Sequence, residues 1–174
     1  MLIRQLDVSD APLFQSLRLS GLQEAPTSFA SSYEEEVGRS GDVVEAQLAK
    51  RPDRGIFGAF DGTRLIGIAG LGRENLRKLS HKAFLWGVYV TPDRRGAGVS
   101  TLLVAEALAF ARSIQEISQI NLTVNANNPS AIRLYTSFGF EVFGSEVAAM
   151  IVDSEPYDEV HMTLRFAKGL KTSR

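Results

Sequence analysis

The stretch VTPDRRGAGVST, residues 90–101, decides the fold, because it joins two apolar segments of different length through a Gly-x-Gly turn. Residues 83–90 are almost continuously apolar, which predicts a strand buried on both faces. Residues 99–112 predict a helix that is apolar nearly all round and packs on more than one side. Where a strand turns directly into a helix, the first free amides and the helix dipole favour a bound anion, such as a pyrophosphate.

Taken alone, the turn has two interpretations, an anion site and a plain tight turn. It lacks the Gly-Lys-Ser/Thr sequence of a P-loop, and Thr101 stands where a dinucleotide-binding fold has its third glycine. These departures disfavour a nucleotide-binding regulator.

The composition excludes several classes of protein. The chain has 174 residues with 44% hydrophobic content, which predicts one domain at residues 1–167 and a short basic tail at 168–174. With 19 basic and 20 acidic side chains the net charge is -1, so we expect no nucleic-acid partner and no membrane partner. The absence of cysteine excludes thiol chemistry, and two histidines, His81 and His161, do not predict a metal site.

The N-terminal sequence MLIRQLDVSD is charged, so it does not resemble a signal peptide. No segment reaches about 18 uncharged apolar residues, the length of a membrane-spanning helix. We therefore expect a cytoplasmic protein.

Hydrophobic periodicity predicts the order β-α-α-β-β-β-α-β-α-β-β. This order is typical of an α/β or α+β fold with a mixed sheet of six or seven strands and about four helices. Residues 25–42 are polar and predict a loop with a short helix or two. Within them, Glu34, Glu35 and Glu36 are interpreted as a solvated helix face.

A second motif follows about 30 residues after the glycine turn. Residues 128–140, NPSAIRLYTSFGF, have the form N-x-x-A-x-x-L-Y-x-x-x-G-F. Together with V-x-P-x-x-R-G-x-G-x-S, this motif resembles the GNAT superfamily of N-acetyltransferases, over roughly residues 55–165. The stretches APTSFASSYEEE (25–36) and YDEVHM (157–162) also resemble a widespread bacterial branch of that superfamily.

The resemblance implies a GNAT fold, in which the strand at 83–90 splays from the next parallel strand at 120–124 and acetyl-CoA lies in the opening. It also implies that Asn128 contacts the arm of the cofactor and that Tyr135 protonates the departing thiolate. The pantetheine arm is expected to pair with the backbone of Val88, Tyr89 and Val90. The pyrophosphate is expected on Arg95, Gly96, Ala97, Gly98, Val99, Ser100 and Thr101.

The chemistry of the residue types agrees with such a reaction. Attack of an amine on a thioester needs a neutral amine, an oxyanion donor and an acid for the leaving sulfur. A phenol of pKa about 10 is fully protonated at neutral pH beside a thiol of pKa about 8.5. An amide near Val90 is the expected oxyanion donor. With no cysteine for a covalent intermediate, we expect direct transfer within a ternary complex.

The general base is the open question. Many members of the superfamily carry a glutamate where this sequence has Phe84 and Thr123. Either a water chain ending at Thr123, Glu24 or His161 takes the proton, or the acceptor is an α-amine that is already partly neutral. His161 also has a structural interpretation as a hydrogen-bonding residue of a strand, and Tyr135 has one as a core tyrosine.

The acceptor is expected to be a small-molecule or peptide amine. Residues 24–36 and 153–158 are predicted to be neighbours over the thioester, and an acidic rim there favours a cationic amine. Edge strands of such sheets lead us to expect a homodimer. The alternative function is a non-catalytic acyl-CoA sensor of the same fold, which the missing carboxylate would favour. The rim would consist of Glu24, Asp153, Glu155 and Asp158.

Overall fold

In the computed structural model, which describes residues 1–166, the chain forms one seven-stranded sheet in the order β1-β2-β3-β4-β5-β7-β6. All neighbouring strands are antiparallel except β4 and β5, so the predicted mixed sheet is confirmed. The predicted tail lies outside the described residues. The strands are β1 (Leu2–Gln5), β2 (Arg54–Asp61), β3 (Arg64–Arg73), β4 (Lys82–Val90), β5 (Gln119–Asn125), β6 (Glu141–Val152) and β7 (Glu155–Arg165).

The described residues contain five α-helices, where about four were predicted, and one of them is the short helix expected within residues 25–42. That helix is a single turn with a capping box, in which Ser32 and Glu35 exchange side-chain to backbone hydrogen bonds. No helix in this part of the chain is long and apolar enough to cross a membrane. The helices are α1 (Ala11–Glu24), α2 (Tyr33–Glu36), α3 (Gly41–Leu48), α4 (Val99–Ser113) and α5 (Pro129–Ser137).

The helices cover both faces of the sheet and create two hydrophobic clusters. Helix α4 closes the larger cluster, and α1 and α3 close the other. The prediction that α4 packs on more than one side is wrong, because Leu102 is 45% exposed. The outer positions hold Ala105 and Ala109, whose small side chains make the helix apolar in sequence without demanding burial.

Strands β4 and β5 pair only at their beginnings, which confirms the splayed central parallel strands. Their register runs from Lys82 opposite Gln119 to Phe84 opposite Asn121 and then ends. The divergence begins near Gly87, which has a φ of 62° and lies where the register between β3 and β4 shifts. Strand β4 is not buried on both faces as predicted, because Phe84 is 40% exposed and lines a groove.

Candidate functional site

The glycine turn after β4 leaves a run of backbone amides without acceptors. A 3-10 turn at Pro92–Arg94 leads into Gly96 and Gly98, which both have a φ of 78°. The first amide of α4 with a backbone acceptor is that of Leu102, which donates to the Gly98 carbonyl at 3.2 Å. Within the described residues, the amides of residues 96–101 donate no hydrogen bond. Such a nest at a helix N-terminus fits a diphosphate.

Open space lies in front of this nest. A Cβ atom built on Gly96 or Gly98 would meet no heavy atom within 4 Å, and residues 96–98 are exposed. Glycine is therefore required here because residues of other types rarely adopt this backbone conformation, and not because a side chain would be crowded.

The guanidinium of Arg95 is engaged elsewhere. Its Nη1 atom lies 3.0 Å from Glu24 Oε1, and its Nε atom donates to the Val90 carbonyl at 3.0 Å. The group also lies 5.6 Å from the centre of the Tyr89 ring. The hydrogen bond from Arg95 lowers the pKa of the Glu24 carboxyl. In this conformation the Arg95 side chain is therefore not free to make the expected contact with a phosphate.

Val88, Tyr89 and Val90 border the opening between β4 and β5 and have no partner on β5. Tyr89 and Val90 pair with β3, whereas Val88 lies where the register between β3 and β4 shifts. The side chains of Tyr89 and Val90 belong to the two different hydrophobic clusters, so they point to opposite faces of the sheet. The strand therefore presents only its backbone to the opening, as pairing with an extended ligand requires.

Asn128 and Tyr135 follow β5 in the chain, Asn128 as the N-cap of α5 and Tyr135 within that helix. The Asn128 side-chain oxygen caps α5 by accepting a hydrogen bond from the Ala131 amide at 3.0 Å, so its side-chain NH2 is the part left for a ligand. Tyr135 is 8% exposed and packs edge-on against Phe140 at 6.0 Å. Burial raises the pKa of Tyr135 to about 12.

A groove of about 510 Å³ adjoins the opening on the α1 side of the sheet. Phe84 and Thr123 line it, at the two places where a carboxylate base was expected. The shape of its wall depends on two glycines of β3. A Cβ on Gly70 would lie 2.2 Å from the Trp86 indole, and one on Gly72 would lie 2.8 Å from the Phe84 ring. These glycines therefore let both aromatic rings lie across the neighbouring strand.

The groove contains a chain of polar groups that leads outward. Thr123 Oγ1 lies 3.3 Å from His161 Nδ1, on the neighbouring strand. The other ring nitrogen, Nε2, lies 3.4 Å from Glu146 Oε2 on β6. Thr123 and His161 line the groove, whereas Glu146 is largely exposed. Of the three groups proposed from the sequence to end a water chain, two therefore lie together in the groove, and Glu24 does not line it.

The predicted acidic rim is wrong. Glu24 is paired with Arg95, and the Asp158 carboxylate accepts a hydrogen bond from the Ala148 amide at 2.8 Å. Asp153 lines a second groove of about 650 Å³, which lies between residues 22–35 and 150–153. The two segments are thus neighbours as predicted, but none of the four rim residues lines the groove beside the opening.

An ion pair that the sequence did not predict stands at the wall of the same groove. Glu36, interpreted as part of a solvated face, is 3% exposed and accepts hydrogen bonds from Arg18. Burial alone would raise the pKa of the Glu36 carboxyl, but hydrogen bonds from Arg18 and Ser31 outweigh it and the pKa is lowered. Helical spacing in the sequence could have identified Arg18 as buried, since it shares the buried face of α1 with Phe14 and Leu22.

Comparison with known proteins agrees with this site. Residues 22–140 match the sequence model of the acetyltransferase (GNAT) family. Over 93 residues the chain is 27% identical to the spermidine N(1)-acetyltransferase of Vibrio cholerae, a match that covers 53% of this chain and spans about half, 54%, of that protein. Over 124 residues it is 26% identical to the L-amino acid N-acetyltransferase AaaT of Escherichia coli K12, covering 71% of this chain and 75% of that protein.

A solved structure with the same fold is the phosphinothricin acetyltransferase of Sinorhizobium meliloti in complex with acetyl-CoA. It superposes with a TM-score of 0.83 at 17% identity and covers 99% of this chain and 91% of that chain. At this level of identity the likeness concerns the fold alone.

Proposed function

Because the chain belongs to the acetyltransferase (GNAT) family, we propose that it transfers the acetyl group of acetyl-CoA to a primary amine. The acceptor is a small-molecule amine or a peptide N-terminus. Transfer is direct, within a ternary complex, since the chain has no cysteine to carry an acetyl group.

The observation that supports this proposal is that two suitable binding surfaces, the edge of β4 and the glycine nest, lie next to each other in the chain. Free amides at residues 96–101 follow the edge of β4 at Val88–Val90, which has no partner on β5, after one short turn. The first surface fits a diphosphate, and the second fits the amide-bearing pantetheine arm. When bound, acetyl-CoA supplies an activated thioester carbonyl. Amides of the unpaired β4 edge are suited to stabilise the oxyanion that forms at this carbonyl.

Tyr135 is proposed to donate a hydrogen bond, and then a proton, to the departing sulfur. A pKa of about 12 keeps its hydroxyl protonated at every physiological pH. The same shift makes the phenol a weaker acid than a free tyrosine, so its first contribution is the hydrogen bond to the developing negative charge.

His161 is proposed to accept the proton of the amine, directly or through Thr123. It lies in the groove with a hydroxyl on Nδ1 and a carboxylate on Nε2. A neutral imidazole hydrogen-bonded in this way can take up a proton, and Glu146 stabilises the resulting cation. An imidazole is a sufficient base for an α-amine, part of which is already neutral near pH 7.

The experiment that tests the function is calorimetric titration of the protein with acetyl-CoA, followed by thiol-release assays. The acceptor panel contains peptide N-termini, lysine peptides, polyamines and free amino acids. Micromolar binding with CoA release on one class of amine supports the proposal. Binding without release on any amine would instead support a non-catalytic sensor, and absence of binding would overturn the cofactor assignment.

A further inference from the structure

The groove beside the opening contains an arginine whose hydrogen bonds are only partly satisfied. Arg18 is 7% exposed. Its Nε and Nη2 atoms donate to the two oxygens of Glu36 at 3.1 and 2.9 Å, and Nη2 also donates to Ser31 Oγ at 2.8 Å. Its Nη1 atom has no hydrogen-bond partner among the described residues. A buried donor without an acceptor is costly, so an unpaired guanidinium nitrogen at the wall of a groove indicates a ligand.

The Nη1 atom of Arg18 lies close to the opening between β4 and β5. It lies 3.4 Å from the place that a Cβ of Gly87 would occupy, at the point where β4 turns away from β5. Arg18, Gly87 and Thr123 all line the groove of about 510 Å³. The unpaired donor is therefore beside the opening in which the thioester is proposed to lie.

The charge around this donor is positive. Glu36 is shared by two guanidinium groups, because Arg39 Nη1 lies 3.4 Å from its Oε2 atom. Two guanidinium groups and one carboxylate leave one net positive charge. The carboxylate of Glu159 lines the same groove but stands on β7, beyond β5. The side of the groove next to β4 thus suits an anion, and the side next to β7 suits a cation.

We propose that the acceptor is a free α-amino acid, whose carboxylate binds Arg18 Nη1 while its amine faces the opening between β4 and β5. This inference rests on the proposed acetyl transfer. A guanidinium binds a carboxylate well, and a free α-amino acid carries a carboxylate at a fixed short distance from its amine. The aromatic rings of Phe29, Phe84, Trp86 and Phe143 also line the groove, so the side chain of the amino acid is apolar or aromatic.

The geometry also explains why Arg18 is held so firmly. Its guanidinium carbon lies 4.6 Å above the Phe29 ring, and its other nitrogens are fixed by Glu36 and Ser31. A side chain that has already lost its freedom binds a carboxylate without a further cost in entropy.

The test uses matched acceptors that differ only in the carboxylate: L-phenylalanine, L-phenylalaninamide and 2-phenylethylamine, and the corresponding set derived from L-methionine. We expect kcat/KM for the amino acid to exceed that of the other two by about 10- to 100-fold, the range of a charged hydrogen bond. Equal or better use of the amide or the amine would overturn the inference and leave acetyl transfer standing. CoA release with none of these acceptors but with a peptide or a polyamine would also overturn the inference and leave acetyl transfer standing. Release with none of them and with no other amine of the wider panel would count against acetyl transfer itself.

A binding measurement separates this result from catalysis. The protein saturated with CoA is titrated calorimetrically with L-phenylalanine and with 2-phenylethylamine, and we expect a heat of binding for the amino acid only. The variant Arg18→Lys keeps a cation beside Glu36 but removes the Nη1 donor. The ratio of kcat/KM for L-phenylalanine to kcat/KM for 2-phenylethylamine should therefore fall toward one. Arg39→Lys is the matched control, since Arg39 contacts the same carboxylate without lining the groove. If Arg18→Lys retains the preference, Arg18 does not bind the carboxylate.

Discussion

Glu24, the last residue of α1, and Arg95, the residue before the glycine nest, form an ion pair that joins the end of α1 to the turn between β4 and α4. Because Arg95 also donates to the Val90 carbonyl, the pair fixes the path of the chain between β4 and the nest. The two side chains are 47% and 38% exposed, so their direct contribution to stability is small.

For Glu24→Gln we expect a free energy of unfolding reduced by less than about 1 kcal/mol and a Kd for acetyl-CoA raised a few-fold. The hydrogen bond from Arg95 lowers the folded-state pKa of Glu24, so the pair contributes stability above the unfolded pKa and loses it as pH falls. Denaturant unfolding at neutral pH and at pH 3 measures this, and the difference between wild type and variant should shrink in acid. A difference that grows in acid would contradict the assignment.

Gly98→Ala tests the conformation of the nest. An alanine at a φ of 78° costs about 1 kcal/mol or more of stability, and relaxation of the strain would turn the free amides away from the diphosphate. We expect a lower melting temperature and a Kd for acetyl-CoA raised at least about tenfold. Gly38→Ala is the control, since its Cβ would also meet open space and its φ is not positive. Equal effects of the two variants would refute a special role for the nest.

Tyr135→Phe removes the proposed acid and leaves the ring in place. We expect kcat to fall by about 100-fold or more with little change in the Kd for acetyl-CoA, as for the loss of a general acid. Stopped thiol-release assays and calorimetry measure the two quantities. Tyr157→Phe, on β7 and outside the described grooves, is the control. An unchanged kcat in Tyr135→Phe would show that this residue is a core tyrosine.

His161→Gln removes the proposed base but preserves hydrogen bonding to Thr123 and Glu146. Because the variant has no group that can take the proton of the amine, we expect kcat to fall by about 100-fold. Glu146→Gln is the control and should lose less rate, since it leaves the imidazole in place. Thiol-release assays measure both variants, and a wild-type rate in His161→Gln would leave the hydrogen bond to Thr123 with a structural role only.

Gly70→Ala tests how the groove wall is supported. The new methyl group would lie 2.2 Å from the Trp86 indole, so the ring has to move, at a cost of about 1–3 kcal/mol typical of overpacking. We expect a lower melting temperature and a raised KM for the acceptor, while the Kd for acetyl-CoA is nearly unchanged. A KM effect confined to acetyl-CoA would mean that Trp86 serves the cofactor instead.

Much of this protein is determined by its sequence alone. Residues 90–101 indicated the strand, the glycine turn and the helix that the structure contains, because these depend on local rules: glycine at positive φ and a helix N-terminus. The order of apolar segments likewise predicted a mixed sheet, and the resemblance to the GNAT superfamily predicted its central parallel pair. The glycine turn involves residues close in the chain, so a short stretch is enough to specify it.

Only the tertiary structure decided which charged groups meet. Glu36 looked solvated because α2 is a single turn with three consecutive glutamates, yet its partner Arg18 lies 18 positions away on α1. Arg95 was expected at the phosphates, but packing of α1 against the sheet brings Glu24 within reach of its guanidinium. Long side chains take the partner that folding supplies, and the free energy of each contact depends on burial and distance, which sequence spacing does not encode.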